Sequence, residues 1–188
     1  MTGSRRAVLA GLAAAMAAAP AAAAGKQVDA KTVFPYLDTY LKLPAGDRNR
    51  FRLAYYFRRD GKPLAASVWL VDGAARTAIP LRADGLAERL PSLAQIGRAK
   101  VEIDVEESAK LGVSMEMEPI LTPAAVPDAR ELAAAFVQCE TGTRKALGIL
   151  ALAAPKLRGM VFHGVTSGEA EFADVRRAPL PLVDGRPA

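Results

Sequence analysis

Arginine and aromatic side chains of the types that bind anions are interleaved in the first half of the chain. The residues concerned are Arg52, Tyr56, Arg58, Trp69 and Arg76. In the strand pairing derived below, Trp69, the only tryptophan, lies opposite both Arg52 and Arg76. A guanidinium over an indole ring is attracted by the ring quadrupole, and its planar fork also binds carboxylates and phosphates. This Arg-Trp row is therefore a candidate site for an anionic or amphiphilic ligand or for an envelope protein partner. Simple stabilisation of the surface is the alternative.

A second charged surface is predicted where carboxylates alternate with apolar side chains in residues 100–118. Its members are Glu102, Asp104, Glu116 and Glu118. A hairpin that pairs Ile103 with Met115 would place Glu102 opposite Glu116, and like charges in that position destabilise a ladder. Solvation, pairing with arginines such as Arg52, Arg58 and Arg76, or a bound hard cation such as Ca²⁺ would relieve the repulsion. Two neighbouring carboxylates are also the pair that a glycosidase uses as acid and base.

The remaining residues suited to catalysis are few. His163 is the only histidine and Cys139 the only cysteine, so the common zinc ligand sets are not available. A Ser-His-Asp triad would have to use His163, and no serine lies in a G-x-S-x-G turn. No phosphate-binding loop, dinucleotide fingerprint or calcium-loop spacing occurs. We therefore expect no metal and no cofactor. A non-catalytic protein is favoured over a hydrolase that uses His163 or the carboxylates.

The Arg-Trp row depends on three antiparallel strands predicted in residues 51–81. Asp60-Gly61 and Asp72-Gly73 are placed as the two turns, because Asp-Gly between alternating apolar residues favours a hairpin. The first turn predicts four pairs on the core face: Phe57 with Leu64, Tyr55 with Ala66, Leu53 with Val68, and Phe51 with Leu70. The second turn places Trp69 opposite Arg76. Side chains alternate along a strand, so the arginines fall on the other face.

Helices are predicted in two regions. Between the hairpins, Asp84 and Ser92 are placed to cap two short helices. Further on, Asp128 begins a helix that ends near Cys139, and after a break at Gly142 a second helix extends to residue 153.

The expected fold is α+β. It has an antiparallel sheet of about five to seven strands, the last of them within residues 157–175, and the helical pair of residues 128–153 packs on one face. A two-sheet β-sandwich with appended helices is the alternative. Residues 25–176 are expected to form a single globular domain, and residues 177–188 a flexible C-terminal tail.

Residues 1–24 have the layout of a cleaved export signal. Arg5 and Arg6 precede an apolar run that is too short to span a membrane, and Ala22 and Ala24 form the A-x-A arrangement of a cleavage site before Gly25. The expected location of the mature protein is the periplasm.

The segment from Ser4 to Ala10 resembles the twin-arginine signal. Val8 stands where that signal usually has Phe, and Ala10 where it usually has Lys. The resemblance implies a bacterial protein that crosses the membrane already folded. A general secretory signal that carries two arginines is the alternative.

The charge of the chain sets further limits on its partners. The formal net charge of the 188 residues is +5, and no run rich in lysine and arginine occurs, so we do not expect nucleic acid as a partner. The leading hypothesis is a non-catalytic exported protein that binds an amphiphilic or anionic ligand or an envelope partner. A periplasmic hydrolase and a purely structural envelope protein are the alternatives.

Overall fold

The computed structural model describes residues 25–106, 108–122, 124, 126–148 and 157–188. The predicted export signal and the part of the predicted second helix beyond residue 148 lie outside these residues. The helices are α1 (Ala30–Val33), α2 (Leu37–Lys42), α3 (Leu93–Ile96) and α4 (Ala129–Leu147), with a 3₁₀ turn at Ala45–Asp47. The strands are β1 (Lys26–Asp29), β2 (Phe51–Arg59), β3 (Lys62–Pro63), β4 (Val68–Asp72), β5 (Ala75–Ala78), β6 (Lys100–Ile103), β7 (Leu111–Pro119), β8 (Glu169–Glu171), β9 (Arg177–Pro179), β10 (Leu182–Val183) and β11 (Arg186–Pro187).

The protein is α+β with antiparallel sheets, as the sequence predicted. A four-stranded sheet has the order β1-β6-β4-β5, and a three-stranded sheet has the order β3-β2-β7. The apolar faces of both sheets contribute to one core, together with Phe34 and Leu37 from the helical segment before β2. Tyr55 and Phe57 of β2 and Val101 of β6 are among its most buried members.

The pairing of β2 with β7 organises the three-stranded sheet. All nine residues of β2 have partners in β7, from Phe51 opposite Pro119 to Arg59 opposite Leu111. On the core face Leu53 lies opposite Met117 and Tyr55 opposite Met115. The matched alternation on both strands explains this register, because a shift by one residue would turn the apolar side chains outward.

The long hairpin predicted between residues 51–59 and 62–70 is wrong beyond its turn. Asp60 and Gly61 both have positive φ, at 51° and 78°, as a type I′ turn requires. Only Arg58 with Pro63 and Arg59 with Lys62 then pair as predicted. Because Pro63 has no N–H to donate, it limits the ladder. After Leu64 the chain leaves β2, and β4 belongs to the other sheet.

The next hairpin forms, with a register that differs by two residues from the prediction. Asp72 pairs with Ala75, so Trp69 lies opposite Ala78 and Arg76 opposite Val71. Gly73 is the first central residue of the turn and has a φ of 62°, which suits a glycine in that position. A shift of two residues keeps every side chain on its predicted face.

The hairpin predicted within residues 100–118 is also wrong. β6 pairs with β1 and β4, whereas β7 pairs with β2, so Glu102 does not lie opposite Glu116. The alternation of apolar side chains in the two strands is real, but it specifies only which face is buried. The observed pairing avoids the repulsion between like charges that the predicted hairpin would have carried.

The helix predicted after Asp84 is replaced by a turn that completes the edge of β2. The Ala87 N–H donates to the Tyr55 carbonyl at 2.9 Å, and the Phe57 N–H donates to the Gly85 carbonyl at 2.8 Å. Gly85 has a φ of 86°, and a side chain there would collide with the Phe57 carbonyl oxygen. The prediction at Ser92 is confirmed: Ser92 and Gln95 form a capping box at the start of α3.

The break predicted at Gly142 is wrong, since α4 is continuous from Ala129 to Leu147. The Asp128 side chain caps it by accepting from the Arg130 N–H at 2.7 Å. Gly142 is buried, and a Cβ atom there would lie 3.0 Å from Cζ of Phe51. This glycine therefore permits a close approach between α4 and β2 instead of ending the helix.

The C-terminal residues form short ladders. Residues 157–165 contain no strand, and β8 pairs with β9, while β10 pairs with β11. Residues 177–188, where a flexible tail was expected, thus include three of these four strands. No helix in the described ranges is both long and apolar enough to cross a membrane.

Candidate functional site

The Arg-Trp row does not form as one surface. Trp69 lies in the four-stranded sheet, whereas Arg52, Tyr56 and Arg58 lie on β2 in the other sheet. Arg76 does contact Trp69, with its Cζ atom 3.9 Å from the ring centroid. The predicted cation–π pair is therefore present for Arg76, and Arg52 belongs to a different cluster.

Arg76 and Glu102 form an ion pair on the outer face of the four-stranded sheet. The Arg76 Nη2 donates to Glu102 at 2.7 Å, and the Gln27 side chain donates to the other carboxylate oxygen at 3.0 Å. These hydrogen bonds hold the pKa of Glu102 below its ordinary value. The Arg76 cation already faces a carboxylate and an indole ring, so its charge is largely matched and it is a poor anchor for an added anion.

A second cluster surrounds Glu118 on the outer face of the three-stranded sheet. Arg52 donates to one carboxylate oxygen from Nε at 2.9 Å and from Nη2 at 2.6 Å, and the Tyr56 hydroxyl donates to the other at 2.5 Å. Burial alone would raise the pKa of Glu118, but these donors outweigh it and the pKa lies below its ordinary value. Burial and the adjacent Glu118 raise the pKa of Tyr56. Arg58 lies over the Tyr56 ring, 5.5 Å from its centroid.

The four predicted acidic residues are thus divided: Glu102 lies on β6 of one sheet, whereas Glu116 and Glu118 lie on β7 of the other. Glu102 and Glu118 are paired with arginines, which corresponds to the arginine-pairing alternative, and Asp104 is exposed. Glu116 lies 3.5 Å from Nε2 of His163, whose side chain is 57% exposed. Within the part of the chain that the structure describes, no group of three or more His, Cys, Asp or Glu side chains could hold a metal ion.

A shallow depression borders Trp69. It has a volume of about 550 Å³ and is lined mainly by short side chains of residues 63–69 and 78–83. Its one charged lining residue, Arg82, forms an ion pair with Asp84. Alanine, serine and proline offer few groups that could orient a ligand.

A more strongly apolar cavity lies elsewhere, between α2, the β2–β7 pair and α4. It also has a volume of about 550 Å³. Its walls come from Tyr36, Thr39, Tyr40, Leu43, Phe51, Leu53, Met115, Met117, Gly142, Thr143, Ala146, Leu147 and Leu157. Aromatic rings and thioethers on one side face small residues of α4 on the other. We call this space the Tyr-Met cavity.

Tyr36 stands at this cavity in a strained conformation. Its φ of 64° and ψ of −4° are left-handed, which is uncommon for a residue with a bulky side chain. The ring is 57% exposed although it borders an apolar space. Strained residues concentrate at ligand sites, where the surrounding structure holds them in place.

Tyr40 fixes the wall between α2 and β2. Its hydroxyl donates to the Phe51 carbonyl at 2.8 Å, and its ring meets the Phe51 ring edge-on at a centroid distance of 5.4 Å. Burial raises the pKa of Tyr40 above its ordinary value. The hydrogen bond and the ring contact together join α2 to β2 at this wall.

Two sulfur atoms, one from β7 and one from α4, lie in contact beside the Tyr-Met cavity. The Cys139 thiol on α4 is 3.3 Å from the Met117 sulfur, and the Thr143 hydroxyl is 3.7 Å from the same atom. Burial raises the pKa of Cys139 to about 11, so the residue is a protonated, apolar thiol at neutral pH. The wall offers polarisable groups without a nucleophile–base pair.

The sequence did not predict the Tyr-Met cavity, although its parts were visible. Tyr36 and Tyr40 are four residues apart, a spacing typical of one helix face, and Met115 and Met117 alternate with Ser114 and Glu116 along one strand. The sequence did not indicate that small residues of α4 would line the same space as these tyrosine and methionine side chains. No protein-family model matches the chain, and no curated protein or solved structure matches it either.

Proposed function

We propose that this is an exported, non-catalytic periplasmic protein that binds an amphiphilic molecule in the Tyr-Met cavity. The observation that carries the proposal is the cavity itself, with its volume of about 550 Å³ and its lining of aromatic, leucine and methionine side chains. Ligand pockets typically have volumes of about 300–1,000 Å³ and predominantly apolar walls. The export signal read from residues 1–24 supports the location.

The composition of the walls supports an elongated, flexible ligand. Met115 and Met117 are unbranched and polarisable, so they adapt to ligands of different shape. Thr39 and Thr143, with the phenol groups of Tyr36 and Tyr40, supply the hydroxyl groups of a mainly apolar lining. A molecule with an alkyl or isoprenoid chain and a small polar head matches this distribution.

The hydrolase alternative has less support. Its carboxylate pair, Glu102 and Glu116, lies on two different sheets, and Glu102 is occupied by Arg76 and Gln27. Glu116 and His163 lie on the protein surface without an adjoining cavity among those described.

Native mass spectrometry of protein purified from the periplasm without detergent tests the proposal. We expect a bound small-molecule mass that is lost on denaturation, together with a mass for the chain that begins at Gly25. A protein that carries no adduct and takes up no added amphiphile would contradict the proposed function.

A further inference from the structure

Arg48 places its positively charged guanidinium group beside the Tyr-Met cavity. It follows the 3₁₀ turn Ala45–Asp47, and its guanidinium carbon lies 5.5 Å from the centroid of the Tyr40 ring. Its Nε donates to the Leu43 carbonyl at 3.0 Å. Tyr40 and Leu43 both line the cavity, so the cation is fixed near its rim by two of the residues that form the wall.

Two of the cations near Arg48 differ from it because carboxylates compensate them, whereas Arg50 is exposed to solvent. Lys145 contacts Asp47 at 2.8 Å, and Lys42 contacts Asp38 at 3.9 Å. Within the described ranges, no carboxylate lies within ion-pair distance of the Arg48 guanidinium. Arg48 is nevertheless half-buried, and a partly desolvated cation favours an anionic partner.

The remaining donors of Arg48 suit a planar or tetrahedral anion. A guanidinium has five N–H groups, and the carbonyl of Leu43 uses one of them in the structure. Carboxylates and phosphates accept two such bonds at once, and stacking on a ring reduces the entropy that the arginine loses.

We infer that the ligand of the Tyr-Met cavity is a single-chain anionic amphiphile, whose carboxylate or phosphate head binds Arg48 while its chain lies against Met115 and Met117. This inference rests on the proposed function. It adds the charge of the ligand and the residue that recognises it.

The test is displacement of a neutral fluorescent probe, N-phenyl-1-naphthylamine, by dodecanoate, dodecyl phosphate and dodecanol. The two anions are kept below their micelle concentrations and dodecanol below its solubility limit. We expect the wild-type protein to bind at least one of the two anions about tenfold more tightly than the alcohol. The anion that binds more tightly shows whether the head group of the natural ligand is a carboxylate or a phosphate. Equal affinity for all three compounds would overturn the inference while leaving the proposed function intact, whereas failure of the probe itself to bind would contradict the proposed function.

Variants at two nearby arginines make the test specific. We expect Arg48→Gln to remove the preference for the anion without changing the affinity for dodecanol, and Arg50→Gln, in the same loop and exposed, to retain the preference. Arg48→Lys keeps the charge but loses the bidentate fork, so its anion preference should be smaller than that of the wild type. If the glutamine variant does not fold, an unchanged preference in Arg48→Lys would contradict the assignment. An anion preference that survives unchanged in folded Arg48→Gln or is abolished by Arg50→Gln would contradict the assignment.

Discussion

Arg52 lies directly opposite Glu118 in the β2–β7 ladder and donates two hydrogen bonds to one oxygen of its carboxylate. Tyr56 donates to the other oxygen. This contact ties together the two strands whose apolar face forms one wall of the Tyr-Met cavity. The pair therefore stabilises the strand register on which the cavity depends.

The pKa of Glu118 predicts how this contribution depends on pH. Because the folded-state pKa lies below the ordinary value of 4.5, the stabilisation is present above pH 4.5 and is lost as the pH falls through the folded-state pKa. We expect Glu118→Gln to lower the free energy of unfolding at pH 7 by about 1 kcal/mol. The difference in the free energy of unfolding between the variant and the wild type should become smaller as the pH falls below 4.5. Urea unfolding between pH 3 and pH 8 measures it, and Glu88→Gln is the control because Glu88 is exposed. A difference that is constant over this range would contradict the role of Glu118.

The strained backbone of Tyr36 predicts opposite effects on stability and binding. Asparagine adopts left-handed φ more readily than tyrosine, so Tyr36→Asn should raise the free energy of unfolding by about 1 kcal/mol. The same change removes an aromatic wall and should weaken binding of the neutral probe. Tyr36→Phe keeps the ring and should leave both quantities near the wild-type values. A Tyr36→Asn protein that is less stable and binds normally would show that the conformation has no functional role.

The reactivity of Cys139, the single thiol, measures how well the protein buries the side of Met117 that faces α4. The pKa of Cys139 is raised from 9.0 to about 11, so at pH 8 the thiolate fraction falls roughly a hundredfold. We expect iodoacetamide to alkylate the folded protein at least that much more slowly than the protein unfolded in urea. Bound amphiphile should slow the reaction further, because Cys139 contacts a residue of the cavity wall. Equal rates in the folded and unfolded states would place the thiol at the surface.

Local features of the fold were predictable because local residues determine them. Asp60-Gly61 forms a turn since both residues take positive φ, and Ser92 with Gln95 satisfies the first backbone donors of α3. The choice of strand partner was not predictable in this way. Period-two alternation marks the buried face of a strand and leaves the identity of its neighbour open.

Charge complementarity offered some information about the partner of β2. The predicted hairpin placed Glu102 opposite Glu116, whereas the observed ladder places Arg52 opposite Glu118. The Tyr-Met cavity could not be predicted from charge or alternation. It forms because large side chains of α2, β2 and β7 meet small side chains of α4, and these elements are far apart in sequence. Gly142 lets α4 approach Phe51 closely, and Ala146 of α4 lines the same cavity as Met115 and Met117 of β7.

The most direct test of the proposed function is a titration with N-phenyl-1-naphthylamine of the wild type, Ala146→Phe and Ala133→Phe. Ala146 lines the Tyr-Met cavity, whereas Ala133 is exposed on α4 and borders a different depression. Filling a cavity with an apolar ring preserves or raises stability, so Ala146→Phe should unfold at a temperature equal to or above that of the wild type while losing at least about tenfold in probe affinity. Ala133→Phe should bind as the wild type does. Unchanged binding by folded Ala146→Phe would contradict the assignment of the ligand to this cavity.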